Sequence, residues 1–250
     1  MSKALAALVD TVLLARALER LGLKRDSGYS LVMWATIWGF VGAKIYYLLE
    51  QLPSFDVHHQ GGMGFTWYGG LLGGAVAALV VVRRHELPLG VVAGAAAVPP
   101  TIAYGIGRLG CLLAGDGIYG RPTSVPWAMT FPNKVVPTDV PVHPTSFYVA
   151  LAAVLIAGAL WAIGKRWNPP AVFGAYLVLS GISRFFVVFL CINELAVLGL
   201  TQPQLWALAG LVVGVALIVG TRFLKRRRTE ETEASASGES LSVGSFARPR

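Results

Sequence analysis

Residues 89–113 read LGVVAGAAAVPPTIAYGIGRLGCLL, and the reading of this stretch decides the fold. A bilayer core takes about 20 mainly apolar residues of helix; this run exceeds that length, with Arg108 as its single charged side chain. Pro99–Pro100 breaks it, because proline lacks a backbone donor and clashes with the preceding turn. Gly105-Ile106-Gly107-Arg108-Leu109-Gly110 fits the pattern G-x-G-x-x-G, but a dinucleotide loop follows a strand and opens a helix. Here the glycines lie inside a broken membrane helix, where small residues let helices approach closely.

Five further stretches have the same character: Leu31–Leu49, Met63–Val82, Pro144–Gly164, Ala171–Ile192 and Leu205–Leu224. Ala4–Leu14 is short and carries Asp10, so it reads as an interfacial helix or as the inner part of a first span. Asp10 and the lack of a small-x-small site after it speak against a cleaved signal peptide. The expected fold class is all-α, a polytopic membrane helical bundle of six firm spans plus a short or truncated N-terminal helix. Residues 1–228 form that membrane domain, and 229–250, rich in Ser, Glu and Gly, read as a disordered cytoplasmic tail.

Composition agrees. With 55% of its 250 residues hydrophobic, 14% charged and a mean hydropathy of +0.62, the chain is neither disordered nor collagen-like. Its charged share also lies well below the quarter usual in soluble domains. Cys111 and Cys191 offer no disulfide framework and no metal-ligand spacing, and no cofactor or metal is expected. The net charge of +8 points toward nucleic acid only if the cations form one basic surface. Instead they cluster between spans: Arg16, Arg20, Lys24 and Arg25; Arg83 and Arg84; Lys165 and Arg166; Arg222 and Lys225 to Arg228. The alternate loops hold only Arg121 and Lys134, beside Glu50, Asp56, Asp116, Asp139 and Glu194. That asymmetry places the clusters and the C-terminus in the cytoplasm, with loops 50–62 and 114–143 facing outward. The basic residues report topology and contact with anionic lipid, and no nucleic-acid partner is expected.

Three cations remain inside spans: Lys44, Arg108 and Arg184. A charge at mid-membrane costs about 2.5–3.5 kcal/mol, so such residues face a cavity, a partner or a headgroup, or snorkel to an interface. Both arginines fall toward the outward ends of their spans, where two planar guanidiniums would suit a phosphate. His143, opening a span beside Pro144, reads as a general base, a headgroup donor or a helix-start residue bonded to backbone. His58 and His59 read as solvated surface. Gly69, Gly70, Gly73 and Gly74 read as helix-contact glycines, and those beside Arg108 also suit a clear path for a headgroup.

These residues resemble the bacterial prolipoprotein diacylglyceryl transferases, from about Gly42 to the last span. The most specific part is Gly107-Arg108-Leu109-Gly110-Cys111-Leu112-Leu113-Ala114-Gly115-Asp116, then Tyr119-Gly120-Arg121-Pro122 and Pro126-Trp127-Ala128. Gly42-Ala43-Lys44, Gly62-Met63-Gly64-Phe65, Tyr68-Gly69-Gly70, His143-Pro144-Thr145-Ser146-Phe147-Tyr148 and Arg184-Phe185 support it. Where the family carries two asparagines and a glutamate, this chain has Cys111, Ala114 and Asp116, with one residue inserted before Tyr119. Tyr68 stands at the family's histidine before the glycine pair, and Val188 at the glutamate after R-F-x-x. The aromatic-glycine part of the family's first span has no counterpart before Ala4.

The resemblance implies a seven-span fold in the bacterial inner membrane and transfer of diacylglycerol from phosphatidylglycerol to the lipobox cysteine thiol of prolipoproteins. Its partners would be phosphatidylglycerol, prolipoprotein signal peptides and membrane lipids. It implies that Arg108 and Arg184 hold the phosphate, that His143 is a base or orienting donor, and that Tyr68 occupies a catalytic position. Asp116, Gly69, Gly70, Gly107, Gly110 and Arg121 would contact substrate. The substitutions at Tyr68, Cys111 and Val188 also fit a second reading, a lipid-binding or lipid-transporting membrane protein that keeps the headgroup site without the chemistry.

Overall fold

The computed structural model describes residues 2–51, 66–192, 195–197 and 199–244. Its helices are α1 (Ser2–Arg20), α2 (Arg25–Gln51), α3 (Trp67–Arg84), α4 (Leu89–Ala95), α5 (Pro99–Ala114), α6 (Thr145–Gly164), α7 (Pro169–Val188) and α8 (Gln202–Gly244). Two short antiparallel pairs follow α5 and α7: β1 (Met129–Phe131) with β2 (Thr138–Val142), and β3 (Leu195–Val197) with β4 (Leu200–Thr201).

Among the described residues, five helical segments are long and apolar enough to cross a membrane: Arg25–Leu49, Leu89–Ala114, Thr145–Gly164, Pro169–Val188 and Gln202–Lys225. The remaining expected span is the 18-residue α3, which ends on Arg83 and Arg84; its expected start, Met63–Phe65, lies outside the described residues. The protein is thus an all-α, multi-pass membrane protein. The proline break falls where the sequence places it, since α4 stops at Ala95 and Pro99–Pro100 open α5, where a missing N–H costs nothing. Asn168 before Pro169–Pro170 starts α7 in the same way, with extended backbone.

Some boundaries differ from the sequence reading. α1 runs well past Ala4–Leu14 and packs against α2 and α5, with Ala15 and Leu18 fully buried. α7 ends at Val188, short of the expected Ile192. Residues 229–244, polar enough to read as disordered, continue α8 as helix. A helix already nucleated inside the membrane extends at one hydrogen bond per added residue, and composition does not record that. Residues 245–250 lie outside the described set.

One core cluster joins Leu14 and Leu18 of α1, Leu31 and Val32 of α2, Val81 and Val82 of α3, and Val92 and Ala95 of α4. A second joins Ala97, Leu160, Val172 and Ala175. The outer surface is as apolar as the core: Phe40, Leu155, Phe186 and Val212 are each more than 60% exposed. On a protein in water this would be an interaction surface; on membrane helices it is the lipid face.

Because lipid tails are as apolar as the side chains, the helices associate through close packing of small residues. α2 and α3 cross at Gly42, Gly69 and Gly73, where a Cβ on Gly69 would meet the Gly42 carbonyl oxygen and the Tyr46 Cβ. α7 and α8 cross at Gly174 and Gly214. Gly107, by contrast, has nothing within 4 Å of an added Cβ. Gly69→Ala is expected to cost about 1–3 kcal/mol by overpacking and to lower the thermal midpoint in detergent, while Gly107→Ala leaves that midpoint unchanged.

Candidate functional site

α5 and α7 finish at the same end of the bundle, and backbone pairing ties their exits together. Gly120 and Cys191 form an antiparallel bridge. The Arg121 backbone N–H donates to the Leu190 carbonyl at 2.8 Å, and Arg121 Nε donates to the Cys191 carbonyl at 3.4 Å. His143 donates its backbone N–H to Arg121 O at 3.1 Å, and its own carbonyl accepts from Gly120 N at 2.9 Å. Only glycine fits at 120, because a Cβ there would lie 2.6 Å from Leu190 O, 2.7 Å from His143 Cβ and 2.8 Å from Thr145 Cγ2.

The connection from α5 to this strip is also fixed. Gly115 caps α5 at φ +64°, its N–H bonded to Cys111 O at 2.9 Å, and Lys134 Nζ donates to the freed Leu113 carbonyl at 3.0 Å. Tyr119 stacks on Phe131 with centroids 4.4 Å apart and donates its hydroxyl to Val136 O. The Thr145 and Ser146 hydroxyls both donate to Ile118 O, which anchors the loop on the start of α6. What composition reads as one polar loop is therefore a small folded module.

Inside this frame the cations converge. Arg108 lies six residues before the end of α5, its guanidinium 4.9 Å from the Tyr104 ring centroid. Arg184 lies four residues before the end of α7. Both are half-buried, and both act electrostatically on the Cys191 thiol together with Arg121. Among the described residues neither Arg108 nor Arg184 makes an ion pair or hydrogen bond; the salt bridge there, Arg25 to Glu19, joins the start of α2 to α1. Guanidiniums with no counter-ion among the described residues repel one another, and an anion with several acceptor oxygens relieves that repulsion.

Cys191, within electrostatic reach of all three arginines, is not prepared as a nucleophile. Burial pushes its thiol above the ordinary value, outweighing Arg184, Arg108 and Arg121, which pull it down, and its S–H is directed at Val187 O. Its thiolate fraction at neutral pH is therefore below that of a free cysteine. Alkylation of Cys191 by iodoacetamide is expected to be slower than that of a free thiol and to accelerate only at more alkaline pH, as read by peptide mass spectrometry.

His143 is held from several sides. Its Nδ1 lies 3.2 Å from the Tyr148 hydroxyl, which accepts from Trp127 Nε1–H at 2.7 Å. The roles follow the tautomer: with its proton on Nδ1, His143 donates to Tyr148 and leaves Nε2 open, and with its proton on Nε2, Nδ1 accepts from the Tyr148 hydroxyl. Trp127 and Tyr148 stand in the sequence only as members of the quoted motifs, Cys191 only as a cysteine without disulfide or metal spacing, and Tyr104 carries no reading; none of the four has a site role there. Tyr148 alone had a usable signal, lying one turn into the helix that His143 opens.

The other sequence candidates are distributed differently. Gly69 and Gly70 lie at the α2–α3 crossing, away from the arginines' helices. Gly110 is buried in α5 and Gly107 faces open space. Asp116 Oδ1 accepts from Ile118 N at 3.4 Å and, among the described residues, forms no ion pair with Arg108. Lys44 stays on α2, 5.2 Å from the Tyr47 ring centroid. Tyr68 belongs to α3, but its side chain, like His58, His59 and Gly62–Phe65, lies outside the described residues.

Fold and site together define a multi-pass membrane protein that carries, at one end of its bundle, a set of arginines with no ion pair among the described residues. The family described as prolipoprotein diacylglyceryl transferase matches residues 1–220. A phosphatidylglycerol–prolipoprotein diacylglyceryl transferase of Clostridium tetani is 27% identical over 89% of this chain and 92% of its own length. Enzymes of the same name from Marinomonas sp. and Geobacter sulfurreducens are 33% and 34% identical, over 75% and 68% of this chain and 74% and 66% of theirs. The chain belongs to the prolipoprotein diacylglyceryl transferase family.

Proposed function

We propose that this protein transfers the diacylglyceryl group of phosphatidylglycerol to the lipobox cysteine of prolipoproteins, in the bacterial inner membrane, with the arginine end of the bundle facing outward. The observation that carries the reading is that Arg108, Arg121 and Arg184 all act on one point where α5 and α7 end, Arg108 and Arg184 without an ion pair or hydrogen bond among the described residues. The outward placement rests on the cation clusters at the opposite helix ends.

In the reaction the acceptor sulfur attacks the glyceryl carbon that carries the phosphate oxygen. A C–S bond forms as the C–O bond breaks, and the electron pair goes to that oxygen. Glycerol 1-phosphate leaves with one more negative charge than the phosphodiester had, and the thiol proton passes to a base. Arg108 and Arg184 hold the phosphate through charge-assisted hydrogen bonds and stabilise the charge that grows on it. Arg121 closes the third side, with Nε committed to the backbone and its terminal nitrogens directed to the anion. Gly107 leaves the approach open, and Asp116 binds a glycerol hydroxyl.

A cysteine with a pKa near 8.5 is only partly ionised at neutral pH. His143 Nε2 takes its proton, while Nδ1–H donates to Tyr148. Tyr68, a phenol with a pKa near 10, is the poorer base. The test is transfer of label from phosphatidylglycerol to a lipobox peptide by the purified protein in detergent. Label must appear in the peptide and must be lost in Arg108→Ala and Arg184→Ala. Lipid binding without transfer would instead establish a headgroup-binding protein that lacks the chemistry.

A further inference from the structure

α2 and α3 meet closely at their glycines, yet a groove of about 720 Å³ runs along the pair, a volume typical of ligand sites. On α2 it extends from Ser30 to Leu49, about 28 Å at the rise of an α-helix. That is close to the full thickness of the hydrocarbon core. Gly69 meets Gly42 and Tyr46, and Gly74 meets Ala35, so the two helices run antiparallel. Ser30 therefore shares one end of the groove with Arg84, the last residue of α3, and with His85 just after it.

That end is the one the cation clusters place in the cytoplasm. Ser30 is half-buried there, and Arg84 and His85 are exposed. Among the described residues Arg84 has no ion pair, and Glu86, two positions on, forms none with it. Further along, the walls are apolar. Trp34 and Trp38, one turn apart on α2, line the groove together with Val76 and Val80 of α3. Tryptophan ordinarily sits at the membrane–water interface, but these two lie about 14 and 20 Å along the helix from Arg25. They are walls of the groove and no part of an interfacial belt.

A cation cluster by itself reports topology. Arg84 differs because it closes one end of an apolar groove, placing positive charge and hydrogen-bond donors where the groove meets water. An anionic phospholipid matches both parts. Its phosphate accepts from the Arg84 fork and from the Ser30 hydroxyl, and an acyl chain lies along Trp34 and Trp38. A signal peptide fits poorly, because its positively charged end stays on the cytoplasmic side and would meet Arg84 as a like charge. We propose that the inner half of the α2–α3 groove binds an anionic diacyl phospholipid of the cytoplasmic leaflet, apart from the site at Arg108 and Arg184. α3 packs chiefly on α2, so a lipid that touches both helices stabilises their pairing.

The test uses the whole chain in detergent, carrying Arg108→Ala and Arg184→Ala so that the arginine end contributes no headgroup binding. Dioleoyl phosphatidylglycerol and dioleoyl phosphatidylcholine are titrated separately. Bound lipid is counted by native mass spectrometry, and the thermal midpoint is recorded. Phosphatidylglycerol is expected to stay bound and to raise the midpoint, and phosphatidylcholine to do neither. Adding Arg84→Gln is expected to weaken binding about five- to tenfold, the effect of one cation at a membrane surface. Arg84→Lys keeps the charge and recovers most of that loss. Val80 is exposed, so Val80→Trp fills the groove without entering the core and is expected to weaken binding at least as much as Arg84→Gln. Arg166→Gln, in a different cation cluster, leaves the affinity within about twofold.

Unchanged phosphatidylglycerol binding in Arg84→Gln and Val80→Trp overturns the proposal, as does equal binding of phosphatidylcholine. An equal loss in Arg166→Gln overturns it too, because diffuse attraction to the basic face then accounts for the binding. A lipobox signal peptide that displaces the lipid, and whose own affinity falls in Val80→Trp but not in Arg84→Gln, would assign the groove to the peptide instead. None of these outcomes bears on whether Arg108 and Arg184 hold the donor phosphate, which the transfer assay decides.

Discussion

Arg184→Ala is expected to reduce label transfer from phosphatidylglycerol by about two to three orders of magnitude, the usual loss when one group that stabilises developing transition-state charge is removed. The same substitution is expected to leave the thermal midpoint unchanged or to raise it. Arg184 is half-buried at the end of α7 and, among the described residues, has no ion pair or hydrogen bond to lose. Its neighbours in the electrostatic field of Cys191 are Arg108 and Arg121, so its removal relieves repulsion between like charges. A structural arginine behaves in the opposite way, because deleting one partner of a buried pair costs stability.

Arg184→Lys separates charge from geometry. Lysine keeps the positive charge but offers a point-like ammonium in place of a planar fork, so partial recovery of transfer is expected. If Arg184→Ala lowered the melting temperature and left transfer intact, the phosphate-binding assignment would be wrong.

Most of the bundle was legible because a membrane span is a one-dimensional signal, about 20 apolar residues with few charges. The Pro99–Pro100 break and the glycine-rich α2–α3 contact were readable for the same reason, since each is local to its own segment. Arg108 and Arg184 stood out as charges in apolar spans, where each had to have a purpose. What the sequence did not contain was the partner set. Cys191 comes within electrostatic reach of Arg108 because Gly120 pairs with it across 71 positions of chain, and nothing local at residue 191 announces that.

Gly69 and Gly70 carry two readings in the sequence, helix contact and substrate contact, because a glycine pair near a helix start has one appearance for both. The α2–α3 crossing accounts for the helix contact, with Gly69 against the Gly42 carbonyl and Gly70 beside the Gly39 carbonyl. The α8 extension has a different cause, because a helix that emerges already formed from the membrane can draw polar residues into its ladder.

His143→Ala is expected to slow transfer by about two to four orders of magnitude near neutral pH, the range associated with loss of a general base. The pH dependence of that deficit identifies the role. A base is needed only while the acceptor thiol is protonated, and a free cysteine ionises near pH 8.5. If His143 takes the thiol proton, the gap between native and variant rates narrows steadily as the pH rises through that value, since hydroxide then supplies the thiolate. If His143 instead donates a hydrogen bond to the headgroup, the gap does not narrow as the thiol ionises. Tyr148→Phe sharpens the distinction: it removes the hydroxyl 3.2 Å from Nδ1 while keeping the ring. For a base whose Nδ1–H rests on that oxygen, Tyr148→Phe is expected to reproduce part of the His143→Ala loss with the same dependence on pH. Trp127 loses its acceptor in the same variant, so Trp127→Phe serves as the control. It breaks the second bond to Tyr148 and leaves the one to His143, and its transfer rate is expected to stay near the native value across the whole pH range.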